Sequence, residues 1–156
     1  MWAGDQATIV GEIEAFVTGA RPVQRTDRRL ATVMFTDIVG STTMAATMGD
    51  TAWRSLIDRH DAWIRSCVED AGGRLIKTIG DGVLAMFDGP GRALEAARAI
   101  SAGAPKLGLH LRAGLHAGEI EMSGSDIVGL AVNVGARVAA LAGADEVLVS
   151  STVRDL

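Results

Sequence analysis

Leu-Ala-Thr-Val-Met-Phe-Thr-Asp-Ile-Val-Gly-Ser-Thr-Thr (30–43) is the stretch from which the rest of the chain can be read. Ala31 to Phe35 is a short apolar run with β-branched members, the pattern of a buried strand. The carboxylate of Asp37 follows it. Gly40, Ser41 and Thr42 then lead into a helical pattern, which is how a strand turns into a helix N-terminus. Such an end carries unpaired backbone N–H groups and partial positive charge, so it receives phosphate. A carboxylate beside a phosphate repels it unless a divalent cation lies between them. The stretch therefore predicts a metal-bridged nucleotide site at the end of a first strand.

Working outward, Gln6 to Thr18 places Ile9, Ile13, Phe16 and Val17 at helical spacing, and Gln24 to Arg29 reads as a charged linker. Residues 1–29 are thus expected to form an amphipathic helix and linker ahead of a domain over 30–156. After the opening strand, a helical piece over Thr43–Met48 stops at Gly49. Asp50 is then expected to cap a long helix with the stripe Trp53, Leu56, Ile57, Trp63, Ile64, Cys67, Val68 and Ala71. His60 falls on or beside that stripe and is read as a packing residue, and Cys67 as part of the core. Arg74–Ile79 and Val83–Phe87 read as strands joined at Gly80-Asp81-Gly82, where glycine supplies the positive φ of a tight hairpin.

A helix entered at Pro90 turns Ala93, Leu94, Ala97 and Ile100 inward. Gly108 to His116 alternates as a strand around Leu109, Leu111, Ala113 and Leu115, and Gly118 to Asp126 reads as a polar loop. The next helix, about Gly129 to Leu141, is expected to bury Leu130, Val134, Val138 and Leu141. A last strand covers Glu146–Val149.

The order is βαββαβ, the α+β, two-layer ferredoxin-like arrangement. In it the first strand lies antiparallel to the third, so its end sits beside the hairpin turn. Asp37 and Asp81 would then meet at one edge of the sheet. Converging carboxylates share either a proton or a cation. Next to a phosphate-ready helix start, Mg²⁺ or Mn²⁺ on a polyphosphate is the better reading.

Composition narrows the classes. With 15 Lys and Arg against 19 Asp and Glu, the net charge is −4 and no basic block appears, which disfavours a general nucleic-acid grip. The single cysteine, Cys67, excludes an internal disulfide framework and suits a reducing, cytoplasmic compartment. No apolar run approaches the roughly 18 residues of a membrane span, and the N-terminus does not read as a signal peptide.

Four segments carry a family resemblance: Phe-Thr-Asp-Ile-Val-Gly-Ser-Thr (35–42), Ile-Lys-Thr-Ile-Gly-Asp-Gly (76–82), Arg-Ala-Gly-Leu-His-Ala-Gly-Glu (112–119) and Asp-Ile-Val-Gly-x-x-Val-Asn-Val-x-x-Arg (126–137). In this order they resemble the class III nucleotidyl cyclase catalytic domain, from about Leu30 to Ser151. The resemblance implies that Asp37 and Asp81, helped by the backbone carbonyl of Ile38, hold two metal ions. It implies that Asn133 orients the ribose and that Arg137 meets charge growing on the phosphoryl group, while Gly40, Ser41 and Thr42 lie against the phosphates.

Lys77 and Asp126 match the family's base selectors of the adenine type. An ammonium donates to adenine N1 and a carboxylate accepts from its amino group, whereas guanine presents the opposite pattern. The implied activity is conversion of ATP to 3′,5′-cyclic AMP and pyrophosphate. Family members draw the metal carboxylates from one subunit and the selectors and Asn/Arg pair from the other, so a homodimer with two equivalent sites is implied.

Family domains continue past the position of Leu156 into a final hairpin bearing a second phosphate-binding Lys. This chain is therefore expected to be a C-terminally truncated member. Glu119 also stands near where some members place an arginine. The alternative is a cyclase-homology module that binds nucleotide or a partner without turnover, and a guanylate cyclase is disfavoured by Lys77 and Asp126. The N-terminal helix and linker resemble the segment joining an upstream regulatory or hydrolase-like domain.

Overall fold

A computed structural model describes residues 27–156 of the chain. The helix expected over Gln6–Thr18 and most of the linker lie outside the described residues. The elements are β1 (Arg28–Ile38), α1 (Ser41–Met48), α2 (Asp50–Asp70), β2 (Arg74–Ile79), β3 (Gly82–Phe87) and α3 (Pro90–Gly103), followed by a 3₁₀ turn (Ala104–Leu107). Then come β4 (Leu111–Ser123), β5 (Asp126–Val128), α4 (Leu130–Leu141), β6 (Val147–Val149) and α5 (Ser151–Arg154).

One sheet has the order β2-β3-β1-β4-β5, antiparallel throughout, with the short β6 pairing in parallel on β4. The 2-3-1-4 order with intervening helices is the ferredoxin-like arrangement expected from the element pattern. Alternation along β1 sends Met34 and Ile38 to one face and Ala31, Val33 and Phe35 to the other. The first face packs against α2 and α3 through Leu56, Ile64, Val68, Ala93, Ala97 and Ile100, all at most 3% exposed. Burying a side chain the size of Ile64 contributes about 1.5–3 kcal/mol, so this layer supplies most of the cohesion. His60 is fully buried within it, as expected of a packing residue, and its Nδ1 lies 2.9 Å from Asp61 Oδ1. Cys67 is half-buried at its margin, and burial pushes its thiol pKa up.

The second face is covered by α4, and here the expected buried side is corrected. The residues turned to the sheet are Ala131, Gly135 and Ala139, whereas Leu130 and Leu141 are 77% and 79% exposed. Close approach is the cause. A Cβ on Gly114 would lie 2.2 Å from the backbone N of Ala139, and one on Gly135 would lie 2.7 Å from Val33 Cγ2. Only small residues on the helix fit against this part of β1 and β4.

Other expectations also shift. The segment read as a polar loop after Gly118 continues β4 to Ser123, because Glu119 and Glu121 face Leu30 and Arg28 across the ladder and pair with Arg28 at 3.6 Å. Arg28 and Arg29, expected in the linker, are the first residues of β1. Asp50 is the first residue of α2 rather than its cap, a position held by Gly49 at φ 82°.

Candidate active site

The rim of the site is built where β1 ends beside the β2–β3 hairpin. The β1–β3 register runs through Thr36↔Val83, so the next residues, Asp37 and Ile38, pass alongside Gly82 and Asp81. The hairpin loop is the two residues Gly80-Asp81, since Ile79 pairs with Gly82. Gly80 takes the positive φ, 62°. Gly82 is needed for a different reason: a Cβ there would stand 2.4 Å from the carbonyl oxygen of Thr36. The absence of a side chain lets the turn carrying Asp81 close against β1. Asp81 Oδ2 is buried and has no hydrogen-bond partner.

A cleft of about 280 Å³ opens at this rim, lined by Asp37 and Gly82 together with Phe35, Ile79, Arg112 and Ala140 among others. Asp81 lies one residue outside that lining. Arg112 is a functional candidate to which the sequence reading gave no role. It sits directly opposite Asp37 on β4, and its Nε and Nη2 donate to Asp37 Oδ2 at 3.0 and 2.6 Å. Both side chains are one-third exposed. Extending the antiparallel β1–β4 register to the end of β1 would have found this pair from the sequence.

Beyond Asp37 the chain turns through Gly40, at φ 72°, into α1, which starts at Ser41 rather than Thr43. No side chain caps this helix start, and its first turn holds no acidic residue. Its N-terminal N–H groups therefore retain their partial positive charge toward an anion.

Lys77 and Asp126 belong to β2 and β5, the two ends of the main strand path, yet Lys77 Nζ donates to Asp126 Oδ2 at 2.7 Å. The sheet achieves this by curling over its second face, where Ile76, Met122 and Ile127 share one apolar cluster. A register shift between Leu75 and Lys77 re-aims the strand at that point. The Lys77 hydrogen bond, joined by one from the backbone N–H of Ile127, lowers the Asp126 carboxyl pKa below its ordinary value.

Asn133 and Arg137 are exposed on α4. At about 100° per residue they project on the side of the helix opposite Ala131, Gly135 and Ala139, not beside that stripe. The cleft is lined from α4 by Ala136, Ala139 and Ala140 instead. One chain thus brings Asp37, Arg112 and the hairpin together and pairs Lys77 with Asp126. It turns Asn133 and Arg137 away from its own cleft.

No group of three or more His, Cys, Asp or Glu side chains close enough to hold an ion occurs among the described residues. Nor is any described helix long and apolar enough to cross a membrane.

The same architecture recurs in known proteins. The chain is 30% identical over 153 residues to an adenylate cyclase of Streptomyces coelicolor, covering 97% of this chain and 39% of that protein. It therefore spans well under half the length of this relative. Among solved structures it resembles an adenylate/guanylate cyclase/hydrolase from Silicibacter pomeroyi, with TM-score 0.71, 31% identity and coverage of 83% and 79% of the two chains. The adenylyl cyclase CyaB from P. aeruginosa shares the fold at TM-score 0.78 and 22% identity, over 84% and 81% of the chains. The model of the adenylate and guanylate cyclase catalytic domain matches residues 23–156, and the chain belongs to that family.

Proposed function

We propose that this domain converts ATP to 3′,5′-cyclic AMP and pyrophosphate at sites shared between two copies of the chain. The observation that carries the reading is the separation of the cleft from the outer face of α4. The metal-type carboxylates lie at one chain's cleft rim, whereas Asn133 and Arg137 face outward, away from that cleft, where they would meet nucleotide held by a second chain. The cleft of one chain, about 280 Å³, also falls at or below the roughly 300–1,000 Å³ of a complete ligand pocket. Around Asn133 and Arg137, the exposed Leu130 and Leu141 supply apolar area for an isologous contact.

The residues fit divalent cations. Asp81 Oδ2 is a buried acceptor with no donor, Asp37 stands at the cleft, and both are hard oxygen ligands. Two carboxylates are what Mg²⁺ or Mn²⁺ takes from a protein when substrate phosphates complete its shell. Bound there with the Ile38 carbonyl, the ions would neutralise the triphosphate and make the ribose 3′-hydroxyl a better nucleophile.

The chain's own groups do the rest. Gly40, Ser41 and Thr42 offer the start of α1 to the phosphates. The partner chain's Lys77 donates to adenine N1, and its Asp126 accepts from the exocyclic amino group. From the partner chain, Asn133 holds the ribose and Arg137 meets negative charge as the α-phosphoryl group is attacked. The 30% identity to a named adenylate cyclase supports the choice of ATP.

The test uses two inactive variants, Asp81→Asn and Asn133→Ala/Arg137→Ala, assayed for cyclic AMP alone and mixed. A statistical mixture contains half heterodimers with one intact site each, so about a quarter of wild-type activity should return. If neither the wild type nor the mixture makes cyclic AMP while both bind ATP, the non-catalytic module is the better description. No recovery on mixing, with an active wild type, would refute the shared site.

A further inference from the structure

We propose that Arg112 is the resident counter-ion of Asp37 and must be displaced from it before a divalent cation can use that carboxylate, so that Arg112 sets the metal affinity of the site. The inference rests on the metal reading of Asp37 and Asp81 above.

Four observations carry it. The first is that Arg112 and Asp37 are cross-strand partners, so the ladder itself holds the guanidinium against the carboxylate. The second is the form of the pair. Both donors converge on Oδ2, and no described residue donates to Oδ1. An arginine built as a permanent brace would more typically fork across both oxygens. The open Oδ1 gives an incoming cation a first contact before the guanidinium has left.

The third is exposure. Each side chain is one-third exposed at the mouth of the cleft, so ions reach the pair from solvent. The fourth is the contrast with Asp81, whose buried Oδ2 has no donor at all. One carboxylate is compensated by the protein and the other is left for something from outside.

The released guanidinium has somewhere to go. Arg112 Nη1 already reaches the carbonyl of Ala140 at 3.5 Å, in the last turn of α4, where carbonyls carry partial negative charge. Exchange would then move the side chain from Asp37 toward the end of the helix that also bears Asn133 and Arg137. Occupancy of the cation site would be felt by α4.

The experiment measures Mn²⁺ binding to the nucleotide-free chain by the electron-spin signal of free Mn²⁺. It compares the wild type with Arg112→Gln, Arg112→Lys and Asp81→Asn, with folding checked by circular dichroism. Removing a like charge at contact distance should tighten binding in Arg112→Gln by about tenfold or more, whereas Arg112→Lys should stay near the wild type.

Unchanged or weaker binding in a folded Arg112→Gln chain would overturn the inference and make Arg112 a brace that orients Asp37. Wild-type binding that Asp81→Asn leaves untouched would instead overturn the metal reading itself. A second readout needs only the wild type: the Arg112 Nε–H resonance, assigned by its loss in Arg112→Lys, followed during Mg²⁺ titration. The inference requires that this resonance shift or broaden as the cation binds. Its staying fixed at saturation would refute displacement even if Arg112→Gln failed to fold.

Discussion

Replacing Gly82 with alanine tests the link between the fold and the site most directly. The added Cβ would stand 2.4 Å from the Thr36 carbonyl oxygen, about 0.9 Å short of an ordinary C···O contact of roughly 3.3 Å. The obstacle is backbone, so β3 and β1 must part by nearly that distance at the rim. Overpacking of this kind costs about 1–3 kcal/mol, and a weakened ladder bond adds roughly 0.5–1.5 kcal/mol. The sum, about 1.5–4.5 kcal/mol, should be read as the loss of unfolding free energy in urea followed by circular dichroism.

Because the displaced turn carries Asp81, catalysis should fall further than stability alone explains. Moving a reacting group by about 1 Å costs on the order of 100-fold. Gly89→Ala is the control: it has open space around it and an extended φ of −154°, so it should cost no more than the exchange of a helix N-cap, about 1 kcal/mol or less, and leave activity unchanged. If Gly82→Ala were as stable and as active as Gly89→Ala, the argument that close strand approach sets the site would be wrong.

Other expectations follow from single contacts. Asp81→Asn should abolish cyclic AMP formation and yet raise the melting temperature of the metal-free chain, because it removes charge from a buried oxygen without a donor. Calorimetry without added metal checks this. Lys77→Ala and Asp126→Ala should each lower kcat/KM for ATP by at least about 100-fold, since each leaves the other group without its 2.7 Å partner and the base without a match.

His116 Nδ1 lies 2.9 Å from Ser150 Oγ, and burial lowers its pKa from the usual value. A depressed histidine pKa means the unfolded chain takes up the proton first. The stabilisation is present above the unfolded pKa, near 6.5, and is lost as pH falls through the lower folded pKa. Urea titrations at pH 7.5 and 5 should therefore show the wild type losing more stability than His116→Gln.

The parts legible in the sequence were those encoded by local pattern. The alternation Leu111, Ala113 and Leu115, the hairpin at Gly80-Asp81-Gly82 and the helical stripe through Leu56, Ile64 and Val68 each report their own environment within a few residues, although the strand begins at Leu111 and not at Gly108. What was misread depends on a distant partner. Leu130 and Leu141 read as buried because they are large and periodic, but Gly114 lets the helix backbone come too near for them. Glu119 and Glu121 read as loop until Arg28 is set across from them. Arg112 gained meaning only when the β1–β4 register placed it opposite Asp37. The proximity of Lys77 to Asp126 came from resemblance, because no local signal tells two opposite sheet edges that they meet.

That meeting has a consequence for how base preference can change. The gap between Lys77 and Asp126 is the closing distance of a curved five-strand span, so every strand's twist contributes to it, as jaw spacing depends on the whole arc of a caliper. Substitutions in β3 or β1 that flatten the arc would retune which purine fits without touching either selector. On the proposed reading of Lys77 and Asp126 as base selectors, selectivity would thus be carried by the curvature of the sheet as well as by two side chains.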